Sequence, residues 1–426
     1  MKILLISANT EQINMPVLPL GMACVAAAAQ NAGHEVNTVN LMMAGDIRSL
    51  LKSSIVSYQP DVIGISVRNI DNQIMGNPNF LLDPVKAVVS ECRYFSDAPI
   101  VLGGAGYSIF PKSALDYLKA DMGIQGEGEK SFVSLLERIE RQADLSEVPG
   151  LFLPKIGLIK KPIPGKNLDD YPLPLSNVHL PIPSDFNMEE VWFPIQTRRG
   201  CAMDCAYCST ASIEGRILRR HSIEYIMDVI RQSAALGIKK YFFVDNTFNF
   251  PLAYAKTLCE RMIRENIGIE WRCILYPWKV DEDLIQKMAR AGCKEVSLGF
   301  ESGSETMLKR MNKRYTLDDI RYTSDMLGKY QIRRIGFLLL GGPGETTDSV
   351  LKSLSFADSL KTEAMKITTG IRIYPHTDLH RIAVDDKLVI PDDNLLFPKF
   401  YIVKGLEKWL EETVDAWMTD HENWMR

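Results

Sequence analysis

The sequence predicts an α/β protein: a doubly wound, Rossmann-like parallel sheet, then a partial (β/α)6 barrel, then a short helical tail. Three observations predict it. Short apolar runs alternate with helix-length stretches through residues 1–148 and again through 191–385, and such alternation builds parallel sheets with helical crossovers. Glycine clusters follow several of the runs, at the strand ends where these sheets bind ligands. Between the two series, residues 149–190 carry Pro149, Pro154, Pro162, Pro164, Pro172, Pro174, Pro181 and Pro183, a composition that stays extended and semi-rigid. Leu151, Phe152, Leu153, Leu173 and Leu175 give this connector apolar anchors.

In the first series, Lys2–Ser7 reads as a strand, Gly21–Asn31 as an Ala-rich helix ending at Gly33, and Glu35–Asn40 as a second strand. Asp61–Val67, Ile100–Leu102 and Met122–Gln125 are further strands, and Lys130–Arg141 is a helix. Gly103-Gly104-Ala105-Gly106 and Gly126-Glu127-Gly128-Glu129 follow the last two strands. Glycines there let a backbone approach a flat or phosphate-bearing ligand; taken alone they read equally as tight turns. The run Val67-Arg68-Asn69-Ile70-Asp71-Asn72 is polar for the end of a buried strand. Arg68, Asn69 and Asn72 are therefore candidate ligand contacts, or caps of a neighbouring helix. His34 falls in a helix-to-strand turn and reads as a surface residue.

In the second series the strands are Trp192–Thr197, Lys240–Val244, Ile269–Leu275, Glu295–Phe300, Arg334–Leu340 and Met365–Tyr374. A partial barrel of this kind keeps its chemistry at the carboxyl ends of its strands. Those ends carry Asp245-Asn246, Arg272, Glu301, Gly341-Gly342 and Tyr374-Pro375. The first strand runs into Arg-Gly-Cys201-Ala-Met-Asp-Cys205-Ala-Tyr207-Cys208. A [4Fe–4S] cluster usually takes four thiolates, so three thiols spaced C-x3-C-x2-C leave one iron open to a non-protein ligand. The alternatives are zinc completed by His221, or buried thiols. Structural zinc uses four protein ligands in paired knuckles, and the chain has no second pair. Cys24, Cys92, Cys259, Cys273 and Cys293 are scattered and read as inert core thiols. Lys309-Arg310 and Lys313-Arg314 read as a solvated helix end. In the tail, residues 386–426, Trp409, Trp417 and Trp424 read as aromatics that dock on a core.

The cysteine motif, with Tyr207 before its last thiol, resembles the signature of the radical S-adenosylmethionine (SAM) superfamily. Upstream, Pro19-Leu20-Gly21, Gly64-Ile65-Ser66, Gly103-Gly104 and Gly126-Glu127-Gly128-Glu129 resemble, in that order, the cobalamin-binding domain of cobalamin-dependent radical SAM enzymes. The resemblance covers nearly the whole chain. It implies a cluster on Cys201, Cys205 and Cys208 whose open iron chelates SAM. It implies SAM contacts at Tyr207, Asp245, Asn246, Glu301, Gly341, Gly342 and Tyr374. It implies cobalamin contacts at Thr10, Leu20, Gly21, Ser66, Arg68, Asn69, Asn72, Gly103, Gly104, Gly126, Glu127 and Gly128. The loop after the first strand has no histidine, so the cobalt would lack a histidine axial ligand. Pro375-His376-Thr stands where the family commonly has Pro-Gly-Thr, which puts His376 at the pocket rim. The activity implied is methylation of an unactivated carbon through a 5′-deoxyadenosyl radical and methylcobalamin. Radical cyclisation or rearrangement is the alternative, and a non-catalytic cobalamin or iron–sulfur sensor a third reading.

Composition bounds the partners. The chain has 426 residues and net charge −4 with no long basic run, so nucleic acid is not suggested. No apolar stretch approaches the roughly 20 residues that span a bilayer. The first apolar segment is too short for a signal peptide. Unpaired cysteine usage fits a reducing, cytoplasmic setting. The expected partners are a small-molecule or peptide substrate and an electron donor such as a flavodoxin or ferredoxin.

Overall fold

The computed structural model describes residues 1–11, 18–42, 44–172 and 191–426. The chain forms two compact units. Met1–Asn72, Asn79–Val191 and Ser209–Gly215 make the first; Gln73–Pro78, Trp192–Cys208 and Arg216–Arg426 make the second.

The first unit holds a seven-stranded sheet in the order β2-β1-β3-β4-β5-β6-β7. Its strands are β1 (Lys2–Ser7), β2 (Glu35–Asn40), β3 (Val62–Ser66), β4 (Ile100–Gly103), β5 (Met122–Ile124), β6 (Leu151–Leu153) and β7 (Gly157–Leu158). β1 to β5 run parallel. Ile3 and Leu5 pack with Met22, Ala26, Phe132 and Leu136, while Leu4 and Ile6, pointing the other way, are buried as well. Cover on both faces explains why β1 is a continuous apolar run. Helix Leu20–Asn31 packs beside helix Gly128–Glu140, and Ile47–Tyr58 beside Leu82–Phe95. Strand order reverses between β1 and β3, which opens a crevice at their carboxyl ends.

Two expectations change here, and others fall outside the described residues. Within the stretch read as a connector, β6 and β7 add antiparallel to the sheet edge, which is why Leu151 and Phe152 are buried. Pro174, Pro181, Pro183, Leu173 and Leu175 lie outside the described residues, as do residues 12–17 of the loop after β1. His34 is not a surface residue: it is 8% exposed, with Nδ1 3.5 Å from the Met1 ammonium. Burial and that ammonium lower its pKa. It stands at the amino-terminal edge of the sheet, opposite the crevice.

The second unit adds β8 (Phe193–Ile195), β9 (Arg198–Arg199), β10 (Arg219–Arg220), β11 (Lys240–Phe243), β12 (Glu270–Leu275), β13 (Cys293–Glu301), β14 (Arg333–Leu340), β15 (Ala364–Thr369), β16 (Ile371–Arg372), β17 (Phe400–Tyr401) and β18 (Trp424–Met425). Its main sheet has the order β18-β15-β14-β13-β12-β11-β8. The first six strands therefore neighbour one another in chain order and run parallel, as in a partial barrel. Side chains alternate strictly. Val296, Leu298 and Phe300 are buried, with Phe300 against Phe356 of helix Thr347–Ser359. Ser297 and Gly299 of β13, with Arg272, Ile274, Phe337, Leu339, Lys366 and Thr368 of its neighbours, form the half-buried inner face. The last predicted strand breaks at Gly370 (φ +73°) into β15 and β16. The tail is the helix Glu407–Thr419 followed by β18, and its Trp424 is buried beside Trp417 and His421. Among the described residues no helix is long and apolar enough to cross a membrane.

Candidate functional site

The cysteine loop is held at its base by one buried carboxylate. β9 and β10 form a short antiparallel ribbon around the loop. Gly200 enters it at φ +85°, and a Cβ there would meet the Ile217 carbonyl oxygen at 2.1 Å, so only glycine fits. Asp245, just beyond β11, accepts from Thr197 N–H (2.7 Å), Thr197 Oγ1 (2.6 Å) and Arg198 N–H (3.1 Å). Its Oδ2 pairs with Arg198 Nε at 3.3 Å. Asp245 is 0% exposed, and burial pushes its carboxyl up against the pull of Arg198. It was expected to touch SAM; in the structure its oxygens take two backbone N–H groups, the Thr197 hydroxyl and the Arg198 guanidinium. Asn246 beside it is half-buried.

The far side of the loop is pinned by Met311–Arg314. Ala206 N–H donates to Met311 O (3.1 Å), Asn312 Nδ2 to Asp204 O (3.1 Å), and Arg314 Nη2 to Ala202 O (3.1 Å). The expectation of a solvated helix end fails at Lys313, whose side chain is 4% exposed. Its Nζ donates to Tyr207 Oη (2.9 Å) and stands 3.3 Å from Glu301 Oε1. Burial disfavours its charge, but Tyr207 and Glu301 hold its pKa well above the ordinary lysine value. Glu301 adopts φ +66° where the β13–β14 register slips between Gly299 and Glu301. A bulge of this kind re-aims a side chain at cost to the backbone, and here it turns the carboxylate toward the loop. The structure thus brings Tyr207 and Glu301 together through a lysine that sequence reasoning missed.

The other predicted SAM contacts sit at the same strand ends with partners of their own. Gly341 (φ +95°) and Gly342 give their N–H groups to Glu345 Oε2 at 2.9 and 3.3 Å. Ser349 Oγ holds the other oxygen at 3.1 Å. The glycine turn is therefore stapled by a buried carboxylate and offers a surface rather than free amides. Tyr374 is half-buried under the Arg372 guanidinium (5.2 Å). His376 is exposed.

Cys201, Cys205 and Cys208 are partly accessible. Burial pushes the Cys205 thiol up, and Lys313 opposes it. Among the described residues no three His, Cys, Asp or Glu side chains converge on a single ion. His221 is buried and stacked flat on Tyr225. Zinc completed by His221 does not fit; three thiols spread along a pinned loop fit the corner of a larger cluster.

In the first unit, Ser66, Arg68, Asn69, Gly103 and Gly104 share the carboxyl edge of β3 and β4. Asn69 Nδ2 reaches Asn9 Oδ1 (3.4 Å) across the β1–β3 switch point. A Cβ on Gly104 (φ +101°) would meet Val67 O at 2.5 Å, whereas one on Gly103 would meet nothing within 4 Å. That cradle admits a ligand against bare backbone. Arg68 is exposed. Thr10 and Leu20 are half-buried, and Gly21 is exposed with open space around it. Four predicted contacts have partners within the unit. Gly126 N–H donates to Ser108 Oγ (2.9 Å). Glu127 Oε2 accepts from Gly165 N–H (3.2 Å) and Tyr171 Oη (3.0 Å). Gly128 lets Val25 approach to 2.9 Å of its absent Cβ. Asn72 Oδ1 accepts from Asn79 N–H (3.0 Å).

Comparison with known proteins agrees with both halves. The B12 binding domain model matches residues 6–136, and the radical SAM superfamily model residues 195–357. An uncharacterized methyltransferase of Pyrococcus horikoshii is 25% identical over 402 residues, covering 92% of this chain and 84% of that one. Cytidylyl-2-hydroxyethylphosphonate methyltransferase of Streptomyces wedmorensis is 26% identical over 465 residues, covering 92% and 84%. The structure of TsrM, a radical SAM methyltransferase from Kitasatospora setae with cobalamin and a [4Fe–4S] cluster bound, matches with a TM-score of 0.87 at 20% identity. That match covers 100% of this chain and 90% of the other, and it speaks to the fold. Fold and site together define a radical SAM enzyme preceded by a B12-binding unit. The chain thus carries the domain pair of a cobalamin-dependent radical SAM enzyme, which implies a [4Fe–4S] cluster, SAM and cobalamin as cofactors.

Proposed function

We propose that the chain methylates an unactivated carbon of a small-molecule or peptide substrate. The observation that carries the reading is likeness across 92% of the chain to relatives named as methyltransferases, joined to a three-thiol loop at the carboxyl edge of a parallel sheet. When bound, the cluster, SAM and cobalamin supply the radical and methyl chemistry. The chain's own residues bind and orient. Cys201, Cys205 and Cys208 hold the cluster. Glu301 presents a fixed carboxylate to SAM, with Tyr207, Asn246, Tyr374 and the face of the Gly341-Gly342 turn around it. Ser66, Arg68, Asn69, Gly103 and Gly104 would hold cobalamin; the loop after β1 carries no histidine, and His34 lies at the opposite sheet edge. The half-buried inner face, with Ile274, Phe337, Leu339 and Thr368, receives the substrate. A flavodoxin or ferredoxin of the cytoplasm supplies electrons, and nucleic acid is not a partner.

The test is product analysis from SAM under reducing, anaerobic conditions, with and without cobalamin loaded. S-adenosylhomocysteine that depends on cobalamin, alongside 5′-deoxyadenosine, is the expected result. 5′-Deoxyadenosine alone would replace methylation with cyclisation or rearrangement, and neither product would leave only a binding role.

A further inference from the structure

A lysine ammonium enclosed by protein is costly unless it is paired, and Lys313 has a specific enclosure. Its Nζ reaches Tyr207 Oη at 2.9 Å and Glu301 Oε1 at 3.3 Å. The rings of Tyr207, Tyr276 and Tyr315 stand 5.0, 5.8 and 5.9 Å from it, a cage that favours a cation. Tyr315 is itself held by the carbonyls of Gly299 and Phe300 (both 3.1 Å), and Tyr276 Oη accepts from Arg314 N–H (3.0 Å). The ammonium is thus fixed by the cysteine loop, β13 and the segment after β12. Tyr207 stands between Cys205 and Cys208, so the ammonium is bound to the cysteine loop itself.

We propose that Lys313 is a positioning residue that tunes the cluster: its fixed ammonium beside the cysteine loop raises the cluster's reduction potential, while Glu301, tied to it, lowers that potential. This rests on Cys201, Cys205 and Cys208 being the cluster's ligands. Reduction adds one negative charge to the cluster, and a nearby cation in surroundings of low dielectric stabilises that charge. Charge on Lys313 and charge on Glu301 must then act with opposite sign, whereas packing roles would disturb the cluster in one direction only.

The experiment is a redox titration of the cluster followed by electron paramagnetic resonance, on full chain reconstituted anaerobically, with iron counted on each sample. The variants are Lys313→Gln, Lys313→Arg and Glu301→Gln. Wild type should hold about four irons per chain; failure of wild type to do so would overturn the thiol assignment itself. At a fixed applied potential, Lys313→Gln should hold on the order of tenfold less reduced cluster than wild type. Lys313→Arg should return to the wild-type curve, and Glu301→Gln should shift the opposite way. Should Lys313→Gln lose its iron, the direction of the Glu301→Gln shift still decides. Coincident curves with full iron, or shifts of the same sign in Lys313→Gln and Glu301→Gln, would overturn the proposal.

Discussion

Replacing Asp245 by alanine should unfasten the cysteine loop and destabilise the second unit by about 3–5 kcal/mol, the usual cost of leaving one member of a buried ion pair alone. The magnitude follows from what surrounds the carboxylate. It accepts from Thr197 and from Arg198 N–H, and it faces the Arg198 guanidinium at 3.3 Å. Arg198 is itself buried, and its Nη2 already lacks a hydrogen-bond partner among the described residues. Desolvation offsets much of what the intact pair gains, so its contribution appears only when one partner is removed. With roughly 2–4 °C of midpoint per kcal/mol for a unit of this size, the unfolding midpoint should fall by roughly 6–20 °C. Iron bound after reconstitution should fall with it. The double variant Asp245→Ala with Arg198→Met removes the orphaned charge and should recover part of the loss. A midpoint within about 2 °C of wild type, or a double variant less stable than Asp245→Ala, would refute the clamp.

Three further outcomes are expected. Gly104→Ala combines φ +101° with a Cβ 2.5 Å from Val67 O, so it should cost about 1–3 kcal/mol in strain. Gly103→Leu meets open space, so it should leave the unfolding midpoint unchanged while abolishing the corrin absorbance of the loaded protein; retained corrin would remove the cradle from the cobalamin site. Burial also pushes Tyr241 and Tyr254 from 10.0 up to about 12. The unfolded chain releases these protons near 10 and the folded chain keeps them to about 12. The folded state therefore binds more protons in that window, and stability should fall as pH rises through it. Tyrosine ionisation followed in the ultraviolet should lag until unfolding; a smooth titration near 10 would contradict the burial.

Spacing made the cysteine motif legible, because three thiols within eight residues need no tertiary information. β1 was legible for a similar local reason: a strand covered on both faces leaves an unbroken apolar run. Lys313 was not. In the chain it is one of four basic residues at the end of a helix, and its partners Tyr207 and Glu301 lie 106 and 12 residues away. Asp245 was recognised as a polar strand end, but the groups that claim it, Thr197 and Arg198, lie 48 and 47 residues earlier. β6 and β7 hid inside a proline-rich stretch. β18 is two residues long, too short to show any period.

β18 also bears on how the molecule behaves in company. It pairs with β15 through Met365 and Lys366 and so covers part of a strand edge that would otherwise present unpaired backbone groups. The cover is slight and is held from the side: Trp424 is buried, and Arg426 reaches Glu411 (2.6 Å) and Asp415 (2.7 Å) on the tail helix. Trp424, Met425 and Arg426 thus act as a hem against edge-to-edge association, and colloidal stability at high concentration depends on that hem staying closed.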